Sequence, residues 1–353
     1  MGLNGYWAGR RVLVTGHTGF KGAWLALWLE QLGATVIGLA LPPEDPRSAF
    51  GALGPWPELT SMMVDLRDAG AVQDAVRTAD PQVILHLGAQ ALVRRAYRDP
   101  TATWAVNVIG TANLLEAARC LPDLEAVVVV TSDKVYANAG DGRAFVETDR
   151  LGGGDPYSSS KAAAELVAES WRQSYFSATR TGLATARAGN VIGGGDLGDN
   201  RLLPDVWRAL LDGKPVRLRY PAAIRPWQFV LEPLHGYLRL AEELGSRRGW
   251  VPSTVNFGPD PGGCMAVATV VEKTLALWGG GHWELEPGDH PHEAAVLSLD
   301  ATLALTALGW QPRLDVTTAL EWTVAWWRAE AQGDDLRRLA LDQVSAYEKL
   351  LGR

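Results

Sequence analysis

Cysteine is nearly missing from this sequence: only Cys120 and Cys264 occur among 353 residues. Cys120 falls near an expected helix end and Cys264 in a glycine-rich loop, so neither a disulfide framework nor a thiolate metal site is expected, and a reduced, cytosolic setting follows. Long apolar runs are missing too. No segment reaches the roughly 18 consecutive apolar residues of a membrane-spanning helix. The first expected strand begins by residue 11 with no apolar signal core before it. The expectation is a protein that is neither exported nor membrane-spanning. Positive charge is not in excess. With 33 Lys and Arg against 40 Asp and Glu, the net charge is −7, which favours solubility and offers no basic surface for nucleic acid. No internal repeat or low-complexity segment interrupts the chain.

What is present is an ordinary globular composition, 47% hydrophobic and 21% charged, long enough to bury a large core. Residues 11 to about 175 alternate strand and helix, with strands expected near 11–15, 35–39, 82–87 and 126–131 and further β-like pieces at 183–187 and 254–257. That alternation predicts an α/β fold, a parallel sheet with helices on both faces. Pro/Gly-rich stretches at 193–204, 219–226 and 258–263 interrupt the order. Most of the 15 tryptophans are read as core or interface, as with Trp322, Trp326 and Trp327 at helical spacing.

Two motifs carry chemistry. In Gly16-His17-Thr18-Gly19-Phe20-Lys21-Gly22, a glycine turn follows the strand Arg11–Thr15 and opens an apolar helix. Such a turn lets backbone N–H groups approach a pyrophosphate at the positive end of the helix dipole. The second motif is Asp155-Pro156-Tyr157-Ser158-Ser159-Ser160-Lys161. Tyr157 and Lys161, four residues apart, share one helix face. An ammonium beside a phenol stabilises the phenolate, so Tyr157 can exchange a hydroxyl proton below its free pKa of about 10. Alcohol oxidation by a nicotinamide cofactor requires such a group.

Together these motifs resemble those of the extended short-chain dehydrogenase/reductase family, with its NAD-dependent epimerases and dehydratases. The blocks VTGHTGFKG (14–22), AQALVRRAY (89–97), NVIGTANLLEAAR (107–119), TSDKVY (131–136), DPYSSSKAAAEL (155–166), ATARAGNVIGGGD (184–196), AIRPWQFVLEPLHGYL (223–238) and HPHEA (290–294) are similar to the subgroup of CDP-glucose 4,6-dehydratases. The resemblance implies a Rossmann-type doubly wound domain at 1–189, to which 228–257 returns, and a smaller nucleotide-sugar-binding domain from 190–227 and 258–353. It also implies a homodimer through helices near 107–119 and 158–172.

The cofactor is open on physical grounds alone. A ribose-binding carboxylate is expected about 20 residues past the first glycine, but Val36-Ile37-Gly38-Leu39-Ala40-Leu41 stands there, so a 2′-phosphate is not excluded. Arg47, nearby in a Pro-rich loop, is read as a solvated surface charge. The resemblance implies NAD, held by Gly16, Thr18, Gly19, Phe20, Lys21 and Gly22, with Asp65 and Leu66 at the adenine and Leu87, Gly88 and Ala89 along the pyrophosphate. It also places Tyr157 and Lys161 at the cofactor and has Asn107 order the strand that carries the site.

Ser132-Asp133-Lys134 follow the apolar strand Ala126–Val130 and so project at its carboxyl end, where open parallel sheets bind ligands. A simple reductase needs only the hydroxyl there; two adjacent ionisable residues point to a further proton transfer. The resemblance implies a 4,6-elimination with Asp133 as acid and Lys134 as base or enolate stabiliser. Such an acid must be held protonated and such a base neutral, and burial pushes both that way. For a diphosphate the candidates are Arg201, Arg219 and Arg225, by their bidentate geometry. Asn190 and Asn256 resemble positions at the nucleotide end, and Arg94 lies in a block expected near the sugar. His290, His292 and Glu293 have metal-like spacing, but Pro291 and the resemblance favour a loop without metal.

Two departures from the subgroup bear on substrate choice. Phe229 stands where histidine is usual, a change expected to alter contacts near the nucleotide. Residues 137–147 are shorter than usual, which leaves a Gly/Asp-rich loop over the expected sugar site. The competing readings are a 4-epimerase or reductase on another nucleotide sugar, which has no need of Asp133-Lys134, and a redox-sensing Rossmann protein, whose usual mark is loss of the tyrosine or lysine.

Overall fold

The strands near the N-terminus, apart from the exposed edge Thr60–Met63, are short runs buried along most of their length, the pattern of a parallel sheet covered on both faces. In the computed structural model, which describes residues 3, 5–246, 249–288 and 294–352, they are β1 (Arg11–Thr15), β2 (Thr35–Ala40), β3 (Thr60–Met63), β4 (Val83–His86), β5 (Ala126–Val130) and β6 (Gly182–Ala188). Then follow β7 (Asn190–Ile192), β8 (Val216–Leu218), β9 (Ile224–Phe229), β10 (Thr254–Phe257), β11 (Cys264–Ala266) and β12 (Trp283–Leu285). The central sheet has seven strands in the order β10-β6-β5-β4-β1-β2-β3, and its pairs are all parallel. The order reverses at β1 and β4, so a crevice opens beyond their carboxyl ends. His290, His292 and Glu293, with the rest of 289–293, lie outside the described residues.

Alternate side chains along each strand enter different cores, as the two-residue period demands. Val12, Val14, Val36, Leu85 and Val128 face one layer with Trp24, Trp28 and Leu234. Leu13, Ile37, Ile84, Val127 and Val129 face the other with Val72, Leu114, Leu115 and Ala168. Burying each such side chain contributes roughly 1.5–3 kcal/mol, which is why β1, β4 and β5 sit at the centre.

Outside this sheet lie a three-stranded sheet, β11-β9-β7, and a two-stranded one, β12-β8. Two C-terminal helices, Val316–Gln332 and Leu336–Leu350, return to the first core. Trp326 is buried against Trp24, their rings 5.6 Å apart. Phe229 is fully buried and packs edge-on to Trp24 at 5.9 Å and Trp322 at 5.3 Å. The expected effect of Phe229 on nucleotide contacts is therefore corrected: a histidine here would carry polar nitrogens into an aromatic cluster, and the phenyl ring fills that space with apolar surface.

Candidate active site

The glycine turn after β1 is shaped by close approaches that no side chain could accommodate. Gly16 has φ of +73°, and a Cβ there would stand 2.8 Å from the Gly88 amide nitrogen; a Cβ on Gly22 would stand 2.0 Å from the Gly16 carbonyl oxygen. Gly19 caps the helix Phe20–Gln31 with no side-chain hydrogen bond, so its first-turn N–H groups remain for an anion. The turn is braced from beneath: Gly88 N–H donates to Thr15 Oγ1 at 3.0 Å, and Thr15 Oγ1 meets His86 Nδ1 at 2.6 Å. Thr18 donates to the Leu41 carbonyl at 2.8 Å. This cradle fits the pyrophosphate of a dinucleotide.

Beside this cradle, the crevice is bounded by the ends of β2 and β3. Leu66 is buried against Gly88 and Gly110, and Asp65 holds Arg67 through both carboxylate oxygens. Leu87, Gly88 and Ala89 follow β4 directly and are half-buried. His17, not singled out from the sequence, lays its ring against Gly38, where a Cβ would clash at 2.3 Å, and bonds Ser61 Oγ through Nε2 at 2.6 Å. Burial lowers its pKa to about 4. Arg47 is exposed and pairs with Asp45 at 2.7 Å.

The catalytic candidates converge at the carboxyl end of β5. Ser132 Oγ donates to Asp133 Oδ1 at 3.0 Å and accepts from the Lys134 amide at 3.2 Å. Asp133 is 2% exposed, and its Oδ2 has no hydrogen-bond partner among the described residues. That oxygen lies 3.1 Å from where a Cβ on Gly189 would be, so glycine keeps the approach open. Burial raises the Asp133 pKa, against the charges of Lys134, Arg225 and Lys21. A carboxyl held neutral can donate a proton.

Pro156–Trp171 is the tyrosine helix. Asp155 caps it, accepting from the Tyr157 and Ser158 amides at 2.9 and 3.1 Å, and Pro156 occupies the first turn, where no N–H is needed. Tyr157 and Lys161 are buried on it. The expected lowering of the Tyr157 phenol is corrected: burial holds it above its ordinary range, and it is a Ser132 hydrogen bond and the Arg201 charge that oppose the shift. Lys161 Nζ donates to the Val130 carbonyl at 3.0 Å, and burial lowers its pKa to about 8, with Glu165 working against burial. The ammonium is thus anchored to the end of β5. Lys21 joins this cluster from the glycine-turn helix: burial first, then the charges of Lys161 and Arg201, bring its pKa down to about 7.

Asn107 joins cofactor turn and tyrosine helix. Its Oδ1 accepts from the Gln90 amide at 2.8 Å, and its Nδ2 donates to the Gln90 carbonyl at 3.1 Å and Ser160 Oγ at 2.9 Å. Arg225, on β9, is 4% exposed and acts on Asp133. Arg201 stands at the mouth of the site on Asp196, at 2.9 and 3.1 Å from its two oxygens. Arg219 acts on Asp205, outside the Asp133 cluster. Arg94 is half-buried on the short helix Val93–Arg98, which packs against the tyrosine helix. Asn190 is half-buried at the start of β7.

Asn256 lies elsewhere. It is fully buried, accepts from Tyr136 Oη at 2.7 Å, and donates from Nδ2 to the Phe145 carbonyl at 2.9 Å. Its side chain is committed to the protein interior. The residues around it, Tyr136, Glu165 and Arg187, form a buried polar network that sequence reasoning missed, although Glu165 sits four residues past Lys161 on the same helix. Among the described residues, no group of three or more His, Cys, Asp or Glu side chains is disposed to hold a metal ion.

A doubly wound sheet, a glycine cradle and a Tyr157–Lys161 pair beside Ser132 define a nucleotide-dependent enzyme of short-chain dehydrogenase type. The chain belongs to the NAD dependent epimerase/dehydratase family, whose pattern matches residues 12–258. It is 41% identical to the CDP-glucose 4,6-dehydratase of Salmonella typhimurium over 97% of both chains, and 29% identical to a dTDP-glucose 4,6-dehydratase of Streptomyces griseus over 90% of this chain and 93% of that one. Among solved structures it is similar to the UDP-glucose 4-epimerase of Thermus thermophilus in complex with NAD, with a TM-score of 0.78 at 25% identity over 90% and 98% of the two chains.

Proposed function

We propose that this chain converts CDP-D-glucose to CDP-4-dehydro-6-deoxy-D-glucose and water, with NAD as its cofactor. The observation that carries this reading is Asp133 beside Lys134, the carboxyl buried with one oxygen unpartnered, next to Tyr157. Held by the Gly16–Gly22 turn, NAD would supply a hydride acceptor for C4 of the hexose and a hydride donor for C6. Tyr157 removes the C4 hydroxyl proton, assisted by the fixed charge of Lys161. The resulting ketone acidifies C5–H, which Lys134 removes or whose enolate it stabilises. Asp133, kept protonated by burial, donates to the departing C6 hydroxyl. A proton returns to C5 as the hydride is added at C6, so only water is lost and no net redox change results.

Arg201, Arg219 and Arg225 are the proposed contacts of the diphosphate, Asn190 of the nucleotide end and Arg94 of the sugar. Residues 1–189 with 228–257 form the proposed cofactor domain, and 190–227 with 258–353 the substrate domain. The proposed setting is cytoplasmic; no helix among the described residues is long and apolar enough to cross a membrane. A homodimer is supported by exposed Trp104, Ile109, Leu166 and Tyr175 on neighbouring helices between residues 100 and 176, an apolar surface a second copy would cover. The test is to incubate the purified protein with a panel of nucleoside-diphosphate glucoses and weigh the products. Loss of about 18 Da from the CDP sugar is expected. An unchanged mass with an inverted C4 would make it an epimerase.

A further inference from the structure

Beneath the active site, Glu165 and Arg187 are each about 3% exposed along their side chains and form a bidentate pair, Nε to Oε1 and Nη2 to Oε2, both at 2.9 Å. The rest of their hydrogen bonding reaches three elements. Glu165 Oε1 also accepts from Thr131 Oγ1, the residue just before Ser132, and Oε2 accepts from Thr185 Oγ1 on β6 at 2.6 Å. Arg187 Nη1 donates to Tyr136 Oη at 2.7 Å and to the Glu147 carbonyl at 3.1 Å. Tyr136 Oη donates onward to Asn256 Oδ1 on β10 at 2.7 Å. Ser132-Asp133-Lys134 are thus tied on both flanks, through Thr131 and Tyr136, to one carboxylate on the tyrosine helix.

We propose that Glu165 and Arg187 are positioning residues for the reaction: the pair holds the helix bearing Tyr157 and Lys161 in register with the Ser132-Asp133-Lys134 loop. Packing alone would hold these elements without buried charge, because a buried ion pair adds little stability over apolar groups of the same volume. The charge has a second consequence. The groups that act on Lys161 or feel its charge are Lys21 from the glycine-turn helix, His86 from β4 and Glu165 on its own helix, where Tyr157 lies one turn before it. Lys21 is a like charge, and burial holds His86 toward its neutral form. Glu165 is the carboxylate that keeps Lys161 protonated against burial.

The inference rests on the proposed roles of Tyr157 and Lys161, so turnover by the parent is measured first, and its absence would count against that reading alone. Glu165→Leu with Arg187→Met removes both charges together, since removing one would strand the other. The double variant should unfold cooperatively on heating and keep KM within about threefold, while kcat falls by roughly 10- to 100-fold through lost alignment. The alkaline limb of its kcat profile should move to lower pH, as Lys161 loses its countercharge. Glu165→Asp with Arg187 retained should move the limb back. Tyr136→Phe keeps the Glu165–Arg187 pair but cuts the hydrogen bonds of Tyr136 Oη to both Arg187 and Asn256, so kcat should fall by about 3- to 10-fold with the limb unmoved. A folded double variant with parental kcat, or with reduced kcat and an unmoved limb, overturns the proposal. If the double variant does not fold, unchanged kcat in Tyr136→Phe overturns it.

Discussion

Tyr157 and Lys134 stand within one short stretch of the fold yet serve separable proton transfers, so single substitutions should stop the reaction at different points. Tyr157→Phe removes the phenolic acceptor and leaves the glycine cradle intact. It should retain bound NAD and slow oxidation at C4 by roughly 10²- to 10⁴-fold, the usual effect of a lost general base; reduction of bound NAD after substrate is added, followed by stopped flow, measures it. Lys134→Met keeps bulk and removes both charge and proton acceptor. Oxidation should survive while exchange of C5–H with deuterated water slows by roughly 10²- to 10⁴-fold. Asp133→Asn should allow that exchange and block loss of the C6 hydroxyl. Parental exchange in the Lys134 variant would move the base role to Asp133 or a bound water.

At the scale of elements, the turn between β1 and the helix Phe20–Gln31 is held by contact distances that leave no room for a methyl group. Gly22→Ala places its Cβ 2.0 Å from the Gly16 carbonyl oxygen, so the helix N-terminus must shift away from the turn. NAD affinity should fall by about tenfold or more, read by calorimetric titration; unchanged affinity would place the pyrophosphate elsewhere. This turn and the tyrosine helix were legible because both announce themselves locally, the one by glycine spacing and the other by an Asp-Pro start. β3 was not legible: Thr60–Met63 is an edge strand, mostly exposed, and carries no apolar run. Glu165 and Arg187 were missed for the opposite reason. Each looks like a surface charge in sequence, and only the pairing of β6 with β5 beneath the tyrosine helix buries them together. Asn256 resembled a ligand contact by its block, but its hydrogen bonds close on residues more than a hundred positions away, a long-range fact that local spacing does not encode.

The molecule as a whole is closed by its C-terminal helix, which returns to the opposite end of the chain. Trp28 Nε1 on the glycine-turn helix donates to Glu348 Oε1 at 3.1 Å, and Arg337 pairs with Glu30 at 2.8 Å. The deepest fastening is Glu232, fully buried, whose Oε1 accepts from the Arg313 and Leu314 amides at 2.8 and 2.7 Å while Oε2 accepts from Tyr347 Oη at 2.7 Å. Burial pushes the Glu232 pKa up to about 7, and those three hydrogen bonds pull against it. A carboxyl raised above its unfolded value, about 4.3, binds its proton more tightly when folded. Its contribution is therefore fully present below about pH 4.3 and is lost as pH rises through about 7. Other buried groups titrate as well, so the readout is the stability of the parent minus that of Glu232→Gln. Glutamine still accepts from both amides through its carbonyl oxygen and turns its NH2 toward Tyr347, so the fastening survives without a titrating proton. The difference should decline by on the order of 2–3 kcal/mol between pH 5 and 8, measured by urea unfolding at each pH. A flat difference would mean that Glu232 stays in one protonation state across that range and that the C-terminal closure is indifferent to pH.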